Sequence, residues 1–147
     1  MLPEFVSGLL PEGVYVASWQ EFRTRFGSNS HRRGILIGIR EAGRVLARAG
    51  CSRMWIDGSF VTQKKRPSDW DGCWDPSGVN SLLLESFFLD FTDAGRTKMK
   101  TKYQADLFPS SLVEANSGLA FVNYFQVDKR SGARKGIVEL TLTGWNQ

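Results

Sequence analysis

Two aspartates, Asp69 and Asp71, lie one residue apart, and Asp69 follows a Gly58-Ser59 pair by ten residues. Side chains two positions apart on a β-strand point to the same side, so a strand here would hold two carboxylates next to each other. Neighbouring carboxylates repel each other unless a proton or a cation separates them. Mg²⁺ prefers hard oxygen ligands such as carboxylates and phosphates. The pattern predicts a metal site beside a turn whose N–H groups and hydroxyl can bind phosphate.

Each half of this pattern has an ordinary structural explanation when it is taken alone. Gly-Ser pairs commonly form turns, and Asp-x-Asp sequences also occur in solvated loops. A third acid, Asp106, strengthens the functional interpretation, because residues 102–109 alternate like a strand that ends at a proline. The neighbours of Asp106 are apolar, and a carboxylate among them needs a cation, a donor or a metal. The alternative is a solvated acid at a sheet edge or a cap for the next turn.

The Gly58-Ser59 pair, the segment 68–71 and Asp106 together resemble the nucleotidyltransferase superfamily related to DNA polymerase beta. Residues 51–74, which include the sequence WIDGSFVT, are similar to small stand-alone bacterial nucleotidyltransferase-like proteins, and a weaker likeness extends over most of the chain. The resemblance implies an α+β fold with a mixed or antiparallel sheet flanked by helices. We expect one minimal nucleotidyltransferase-like domain over residues 18–147, preceded by an N-terminal arm of residues 1–17.

The resemblance also implies an activity: transfer of a nucleoside monophosphate from an NTP to a protein, RNA or small-molecule acceptor, with release of pyrophosphate. Asp69 and Asp71 would hold two Mg²⁺ or Mn²⁺ ions, and Asp106 would bind the catalytic ion and help to deprotonate the acceptor hydroxyl. Gly58 and Ser59 would hold the β- and γ-phosphates. Cations between the two halves of the motif would neutralise the pyrophosphate: Lys64, Lys65 and Arg66.

Two features depart from the superfamily pattern. Gly72 stands where an apolar strand residue is usual, and residues 64–67 (KKRP) replace an Arg-rich helical turn. We therefore keep a second hypothesis, a catalytically inactive module of the same fold that binds nucleotide, RNA or protein, because no helical segment for acceptor recognition follows the last predicted strand. A nuclease is a third hypothesis, which leaves the Gly-Ser turn unexplained. Similar minimal proteins often belong to toxin–antitoxin or phage-defence pairs, so a cognate toxin or antitoxin is an expected partner.

Composition narrows the class of protein. The chain has 147 residues, 41% of them hydrophobic, and a net charge of +4, which suits one domain with its own core and phosphate-bearing partners. It has no apolar stretch of membrane-spanning length and no signal-peptide pattern, so we expect a cytoplasmic protein without a membrane partner. Cys51 and Cys73 favour free buried thiols, with a disulfide as the alternative. The only histidine, His31, excludes a histidine-rich metal site and is predicted to face solvent.

The positioning elements follow from caps and periodicity. We predict helices that begin at the caps Ser18 and Ser30, a strand over residues 53–56, an apolar helix over 81–91, a polar loop over 92–101, a short helix within 110–116, and a hairpin from 119–127 and 136–142. Among the aromatic residues, Trp55 and Trp70 are predicted to lie in the core, and Trp74 to do so or to stack on a base.

Further expectations concern residues outside the acid motif. Asp57 is predicted to cap the Gly-Ser turn, and the arginines of the first third of the chain to lie on the solvated surface. The apolar residues of the arm could pack on another copy of the chain in a homo-oligomer: Phe5, Val6, Leu9 and Leu10.

Overall fold

Five strands form one mixed sheet in the computed structural model, which describes residues 1–147. The strands are β1 (Val14–Ala17), β2 (Arg53–Asp57), β3 (Trp70–Trp74), β4 (Ala105–Pro109) and β5 (Ile137–Thr141). Their order in the sheet is β1-β5-β2-β3-β4. The outer pairs β1/β5 and β3/β4 are parallel, and the inner pairs β5/β2 and β2/β3 are antiparallel. The predicted α+β class with a mixed sheet in a single domain is therefore confirmed.

Four helices accompany the sheet: α1 (Trp19–Phe26), α2 (Ser30–Arg48), α3 (Asp93–Tyr103) and the single turn α4 (Phe121–Tyr124). Helix α1 begins at the predicted cap, because the Ser18 hydroxyl accepts a hydrogen bond from the Glu21 N–H. The cap of α2 is Asn29 rather than the predicted Ser30. The side-chain oxygen of Asn29 accepts a hydrogen bond from the Arg32 N–H. Asparagine caps a helix as effectively as serine does.

The main core lies between one face of the sheet and the first three helices. It is a cluster of 27 buried residues that includes alternate residues of the four strands β2 to β5, among them Ile56, Trp70 and Leu107. The predicted inward stripe of α2 is buried as expected: Ile35, Ile39, Ala42, Leu46 and Ala49. Trp74 is also buried in this core and is only 2% exposed, so it is not available to stack on a base.

The opposite face of the sheet carries a much smaller apolar cluster of six residues, in which Trp55, Cys73 and Phe108 come from three adjacent strands. The flat ring of Phe121 from α4 stacks on Phe108 at 4.1 Å between centroids. Cys73 and Cys51 are both buried free thiols, as predicted. Because side chains alternate along a strand, the residues two positions from these apolar ones face the same side. Those positions hold the acids.

The predicted helix over residues 81–91 is wrong. The segment forms two short 3-10 turns, Ser81–Leu83 and Ser86–Leu89, on either side of Glu85, whose carboxylate accepts hydrogen bonds from Lys102 and Tyr103. Only Leu84 and Phe88 of its large apolar residues are buried. The apolar residues of this segment are not spaced with the 3.6-residue period of a helix that has one polar face, so they do not specify a helix. Only single residues of the segment pack on the core.

The loop predicted over residues 92–101 is instead helix α3. Thr92 caps it by accepting a hydrogen bond from the Gly95 N–H. Its buried stripe consists of Gly95, Met99 and Tyr103, which are spaced by four residues. Polar residues surround this narrow stripe, so the sequence shows no apolar helical pattern and the helix was not predicted. The predicted strand over residues 102–109 is correspondingly shorter, because α3 ends at Gln104 in the left-handed conformation and β4 begins at the next residue.

The predicted C-terminal hairpin is also wrong. Strand β5 pairs with β1 and β2, and residues 119–127 contain α4 and turns with two isolated bridges, from Ala120 to Val113 and from Val127 to Arg134. The aromatic residues Phe121 and Phe125 lie four apart and pack on the sheet as one helical turn. Residues 110–116 form turns and not the predicted short helix.

The N-terminal segment packs on its own chain. Leu2 and Leu10 are buried in the main core, and Phe5 contacts Phe26 with ring centroids 6.2 Å apart. Val6 is strongly exposed, and Val14–Ala17 at the end of the segment is the edge strand β1, in which Val14 and Val16 are also exposed. No helix of the chain has both the length and the apolar character that crossing a membrane requires.

Candidate functional site

Three aspartates form a row across neighbouring strands. Asp57 on β2 pairs with Asp71 on β3, and Asp71 pairs with Asp106 on β4. Asp69 lies immediately before β3, two residues from Asp71. The sheet therefore brings together all three acids that the sequence indicated and adds Asp57. That residue was expected to cap the Gly-Ser turn, but its side chain makes no capping hydrogen bond. The sequence signal for placing Asp57 in the site was its position just before Gly58, at the end of a buried strand.

Gly58 explains why Asp71 can approach the turn so closely. Its φ of +79° lies in the left-handed region, which favours glycine, and a Cβ atom at this position would collide with the Asp71 carboxylate. Residues Gly58–Val61 form a 3-10 turn directly after β2. The Thr62 hydroxyl donates a hydrogen bond to the Ser59 carbonyl at 2.7 Å and fixes the end of that turn.

Asp71 is the least compensated of the four carboxylates. It makes no ion pair within 4 Å and no side-chain hydrogen bond, and its side chain is largely buried. Burial, followed by the negative charges of Asp69, Asp57 and Asp106, raises the pKa of Asp71 to about 7. An acid in this state favours a bound proton or a bound cation.

Asp57 is buried deeper and has one cationic partner. Its carboxylate oxygen Oδ1 lies 3.3 Å from Lys135 Nζ, although the geometry is not that of a well-formed hydrogen bond. Burial raises the pKa of Asp57 to about 6, and the charge of Lys135 opposes this rise. The ion pair therefore only partly offsets the loss of hydration.

Asp69 and Asp106 are compensated from helix α3. Lys100 Nζ lies 3.0 Å from Asp69 Oδ2 and 3.6 Å from Asp106 Oδ2. Arg96 Nη2 lies 3.3 Å from Asp106 Oδ1. No set of three or more acidic, cysteine or histidine side chains is arranged as ligands of one metal ion. Lys100 and Arg96 were predicted to lie in a loop, and their spacing of four becomes informative only on a helix.

A cavity of about 690 Å³ opens beside Asp71, and we call it the Asp71 cavity. Its lining joins the acid pair to the Gly-Ser turn, to four cations and to residues around α4: Asp57, Asp71, Gly58, Ser59, Thr62, Lys64, Lys129, Arg130, Lys135, Ser7, Leu9, Tyr124, Phe125, Val127 and Asp128. Of the three cations predicted between the motif halves, Lys64 reaches the cavity, whereas Lys65 and Arg66 do not line it. Lys129 and Lys135 are cavity residues that sequence reasoning assigned to a hairpin loop.

A buried arginine fixes the segment of residues 60–67, which carries Lys64. The Arg32 guanidinium donates to the carbonyl oxygens of Phe60, Thr62 and Lys64, and also to that of Phe26. Arg32 is only 2% exposed, which corrects its predicted place on the solvated surface. No carboxylate accompanies it, since backbone oxygens accept all its hydrogen bonds.

The start of α2 supplies two more anchors for the same segment. Asn29 donates a hydrogen bond from its side-chain amide to the Lys65 carbonyl at 2.8 Å. His31 was predicted to face solvent, but it is half-buried and its Nε2 lies 2.5 Å from the Pro67 carbonyl oxygen. The first turn of α2 and the Arg32 side chain therefore hold residues 60–67 against the Asp71 cavity.

The donor set fits a divalent cation in its chemistry. Carboxylate oxygens are hard ligands, and Asp71 is a largely buried carboxylate without a partner, beside a second acid whose Oδ1 has no hydrogen bond. Asp71 and the acid next to it could supply one or two carboxylate ligands of such an ion, and the cations of the cavity could meet phosphate oxygens. The arrangement is therefore suited to bind a metal–phosphate ligand.

A model of the family of unknown function DUF6932 matches residues 3–141, so the chain belongs to that family. Comparison with the curated proteins and comparison with the solved structures both give no match.

Proposed function

We propose that this DUF6932 member is a metal-dependent nucleotidyltransferase that transfers a nucleoside monophosphate from an NTP to an acceptor hydroxyl. The observation that carries the proposal is the unpaired Asp71 carboxylate, which lies between Asp57 and Asp106 and faces the Gly58-Ser59 turn. A phosphate-binding turn and an acid that needs a cation, in one cavity, are the two parts that nucleotidyl transfer requires.

In the proposed reaction, the oxygen of the acceptor hydroxyl attacks the α-phosphorus of the NTP. The new phosphorus–oxygen bond forms as the bond from the α-phosphorus to the oxygen bridging to the β-phosphate breaks, and pyrophosphate leaves with that electron pair. The hydroxyl proton passes to a carboxylate, and the resemblance assigns this role to Asp106. Catalysis of this kind depends on positioning the reactants and on neutralising charge rather than on a covalent intermediate.

Each part of the site has a role in this proposal. A divalent ion, which Asp69, Asp71 and Asp106 would hold, supplies positive charge to the phosphate oxygens. Ser59 and the N–H groups of the Gly-Ser turn bind the β- and γ-phosphates. Among the three cations between the motif halves, Lys64 is the one that faces the cavity, so it takes the role of neutralising pyrophosphate. Lys129 and Lys135, from the other side of the cavity, share this role.

The direct test is magnesium-dependent release of pyrophosphate from each of the four NTPs, measured with and without cell extract. We expect release in the wild type and a loss of about 10²–10³-fold or more in Asp71→Asn and Asp69→Asn, because both remove charge at the metal. The matched control is Glu4→Gln, which neutralises an exposed acid without an ion pair and should leave the rate unchanged. Full turnover in both aspartate variants would refute the site.

The acceptor and the cellular context belong to the same proposal. The resemblance supports a protein, RNA or small-molecule acceptor, a cognate toxin or antitoxin partner, a homo-oligomer and a cytoplasmic location. Labelled NTP incubated with extract separates the acceptor classes, since the label enters either protein, RNA or the small-molecule fraction.

One observation favours a second candidate function, a module of this fold that binds nucleotide, RNA or protein without turnover. Lys100 already neutralises Asp69 and Asp106, two of the three acids expected to hold metal. In such a module, the Gly-Ser turn and the lysine and arginine side chains of the Asp71 cavity would bind the NTP. Saturable NTP binding with no pyrophosphate release for any nucleotide, with and without extract, would favour the module over the enzyme.

A further inference from the structure

We infer that Lys100 is a fixed cation of the site and takes the place of one of the two divalent ions, so that the chain binds a single divalent ion beside Asp71. This inference rests on the proposed function and deepens it. It assigns a role to a residue of α3 that neither the acid motif nor the Gly-Ser turn contains.

Lys100 lies close to two acids at once. Its ammonium group lies 3.0 Å from Asp69 Oδ2 and 3.6 Å from Asp106 Oδ2, so one positive charge bridges two acids from different strands. The two carboxylates are mostly buried, with side chains 22% and 18% exposed. A charge shared by two carboxylates in this way does what a bridging metal ion does for them: it offsets their mutual repulsion.

Lys100 lies on a helix that packs on the core. The residue before it, Met99, is 2% exposed, and Tyr103, three residues later, is 1% exposed. Gly95 on the same stripe packs so closely on Asp90 that a Cβ atom there would collide with it. Helix α3 is therefore seated in the main core on the side that places Lys100 over the acids. The backbone of Lys100 is thereby held in a fixed position beside Asp69 and Asp106.

Cations of the chain offset most of the negative charge of the acids. The three aspartates of the row, together with Asp69, carry four negative charges when ionised, and three cations contact these acids directly: Lys135, Lys100 and Arg96. One negative charge is left, and it belongs to Asp71, which has no ion pair. Lys129 faces the same cavity without an ion pair to any acid. One divalent ion with a phosphate ligand suits this balance, whereas two ions would bring four positive charges.

The test is the number and affinity of Mn²⁺ ions bound by the full chain, measured from the electron paramagnetic resonance signal of free Mn²⁺. The wild type should bind one ion per chain, and Asp71→Asn should lose it. Lys100→Met keeps the side-chain length and removes the charge, so a second ion should bind about tenfold or more tighter than in the wild type. Lys100→Arg keeps the charge and should behave like the wild type.

A matched control comes from the same helix. Lys98→Met removes an exposed lysine of α3 that makes no ion pair with the acid row and should leave Mn²⁺ binding unchanged. Thermal melting checks that each variant is folded. We expect the Lys100 variants to be folded, because this side chain is 52% exposed.

Three outcomes would overturn the inference, and they differ in what they say about the proposed enzyme. Two ions on the wild type, or unchanged binding in Lys100→Met, would remove the role of Lys100 and leave the nucleotidyltransferase proposal intact. Binding to Lys100→Met alone would mean that the ammonium group excludes metal, which favours the non-catalytic module. No binding to any variant would overturn both the inference and metal dependence.

Discussion

The two faces of the sheet are built from alternate residues of the same strands and differ in almost every physical property. One face contributes Ile56, Trp70 and Ala105 to the core of 27 buried residues, whereas the other presents the residues next to them, the row of Asp57, Asp71 and Asp106. The apolar cluster on the acid face has only six residues. Residues that stabilise the fold and residues that carry charge therefore alternate along each strand. Substitutions on the two faces should have different effects.

The largest effect should come from the apolar face. Trp70→Ala removes a fully buried indole and the hydrogen bond that its Nε1 donates to the Tyr103 carbonyl at 2.8 Å. We expect a loss of about 3–5 kcal/mol in the free energy of unfolding, measured in urea. Phe121→Ala on the acid face, which removes a ring stacked on Phe108, should cost less, about 2 kcal/mol, because the small cluster can relax around it.

Equal costs for these two substitutions would contradict the comparison between the faces. The two variants should also differ in nucleotide binding at conditions where both are folded. Phe121 and Phe125 lie next to the Asp71 cavity, whereas Trp70 faces away from it. A change in NTP affinity without a large loss of stability is therefore expected only for Phe121→Ala.

The next largest effect should come from Arg32, which connects the two faces through the segment of residues 60–67. Arg32→Met leaves four carbonyl oxygens without their donor, and we expect a loss of about 3 kcal/mol. Hydrogen exchange and proteolysis should increase first in residues 60–67, because the guanidinium is the main anchor of that segment.

The matched control for Arg32 is its neighbour. Arg33→Met removes an exposed guanidinium with a single long hydrogen bond of 3.3 Å to the Gly27 carbonyl. It should change stability by less than about 0.5 kcal/mol, as most surface substitutions do. Similar exchange rates over residues 60–67 in both variants would show that Arg32 does not hold the segment.

Local signals were sufficient for the part of the fold that carries the acid motif. The Ser18 cap, the inward stripe of α2 and strand β2 depend on residues close in sequence, and each forms where it was expected. Alternation along β3 and β4 also indicates which side Asp71 and Asp106 face, whereas the expectation that these acids converge with Asp69 came from the resemblance.

The remaining features depend on partners that are distant in sequence. Strand β5 pairs with β1 and β2 instead of the segment preceding it, and no local pattern selects a partner strand. Arg32 is buried because carbonyl oxygens about 30 residues away surround it. Lys100 reaches the acids because its segment is the helix α3. The buried stripe of that helix is too narrow to be recognised from the sequence.

Substitution of Asp71 on the acid face should change stability by about 2 kcal/mol, with the opposite sign. Burial and the neighbouring acids raise the pKa of Asp71 to about 7, against about 3.9 in an unfolded chain. Between these two values the native state binds the proton and the unfolded state does not, so raising the pH across this window destabilises the fold. Above pH 7 the whole penalty is present. Asp71→Asn removes it and should be more stable than the wild type at pH 8, with the difference disappearing near pH 4.

The magnitude and the control follow from the same linkage. A rise from about 3.9 to about 7 corresponds to at most roughly 4 kcal/mol, and the buried amide of Asn keeps part of the cost, which leaves about 2 kcal/mol. Asp75 is the matched control, because hydrogen bonds from Ser77 and Arg53 outweigh the effect of burial and lower its pKa. Asp75→Asn should therefore be less stable than the wild type at pH 8. Urea unfolding of both variants at pH 4, 6 and 8, without divalent ions, measures the two trends. If Asp71→Asn is destabilised at pH 8 like Asp75→Asn, Asp71 is an ordinary structural acid, and the acid face does not store the unfavourable charge that a bound cation would relieve.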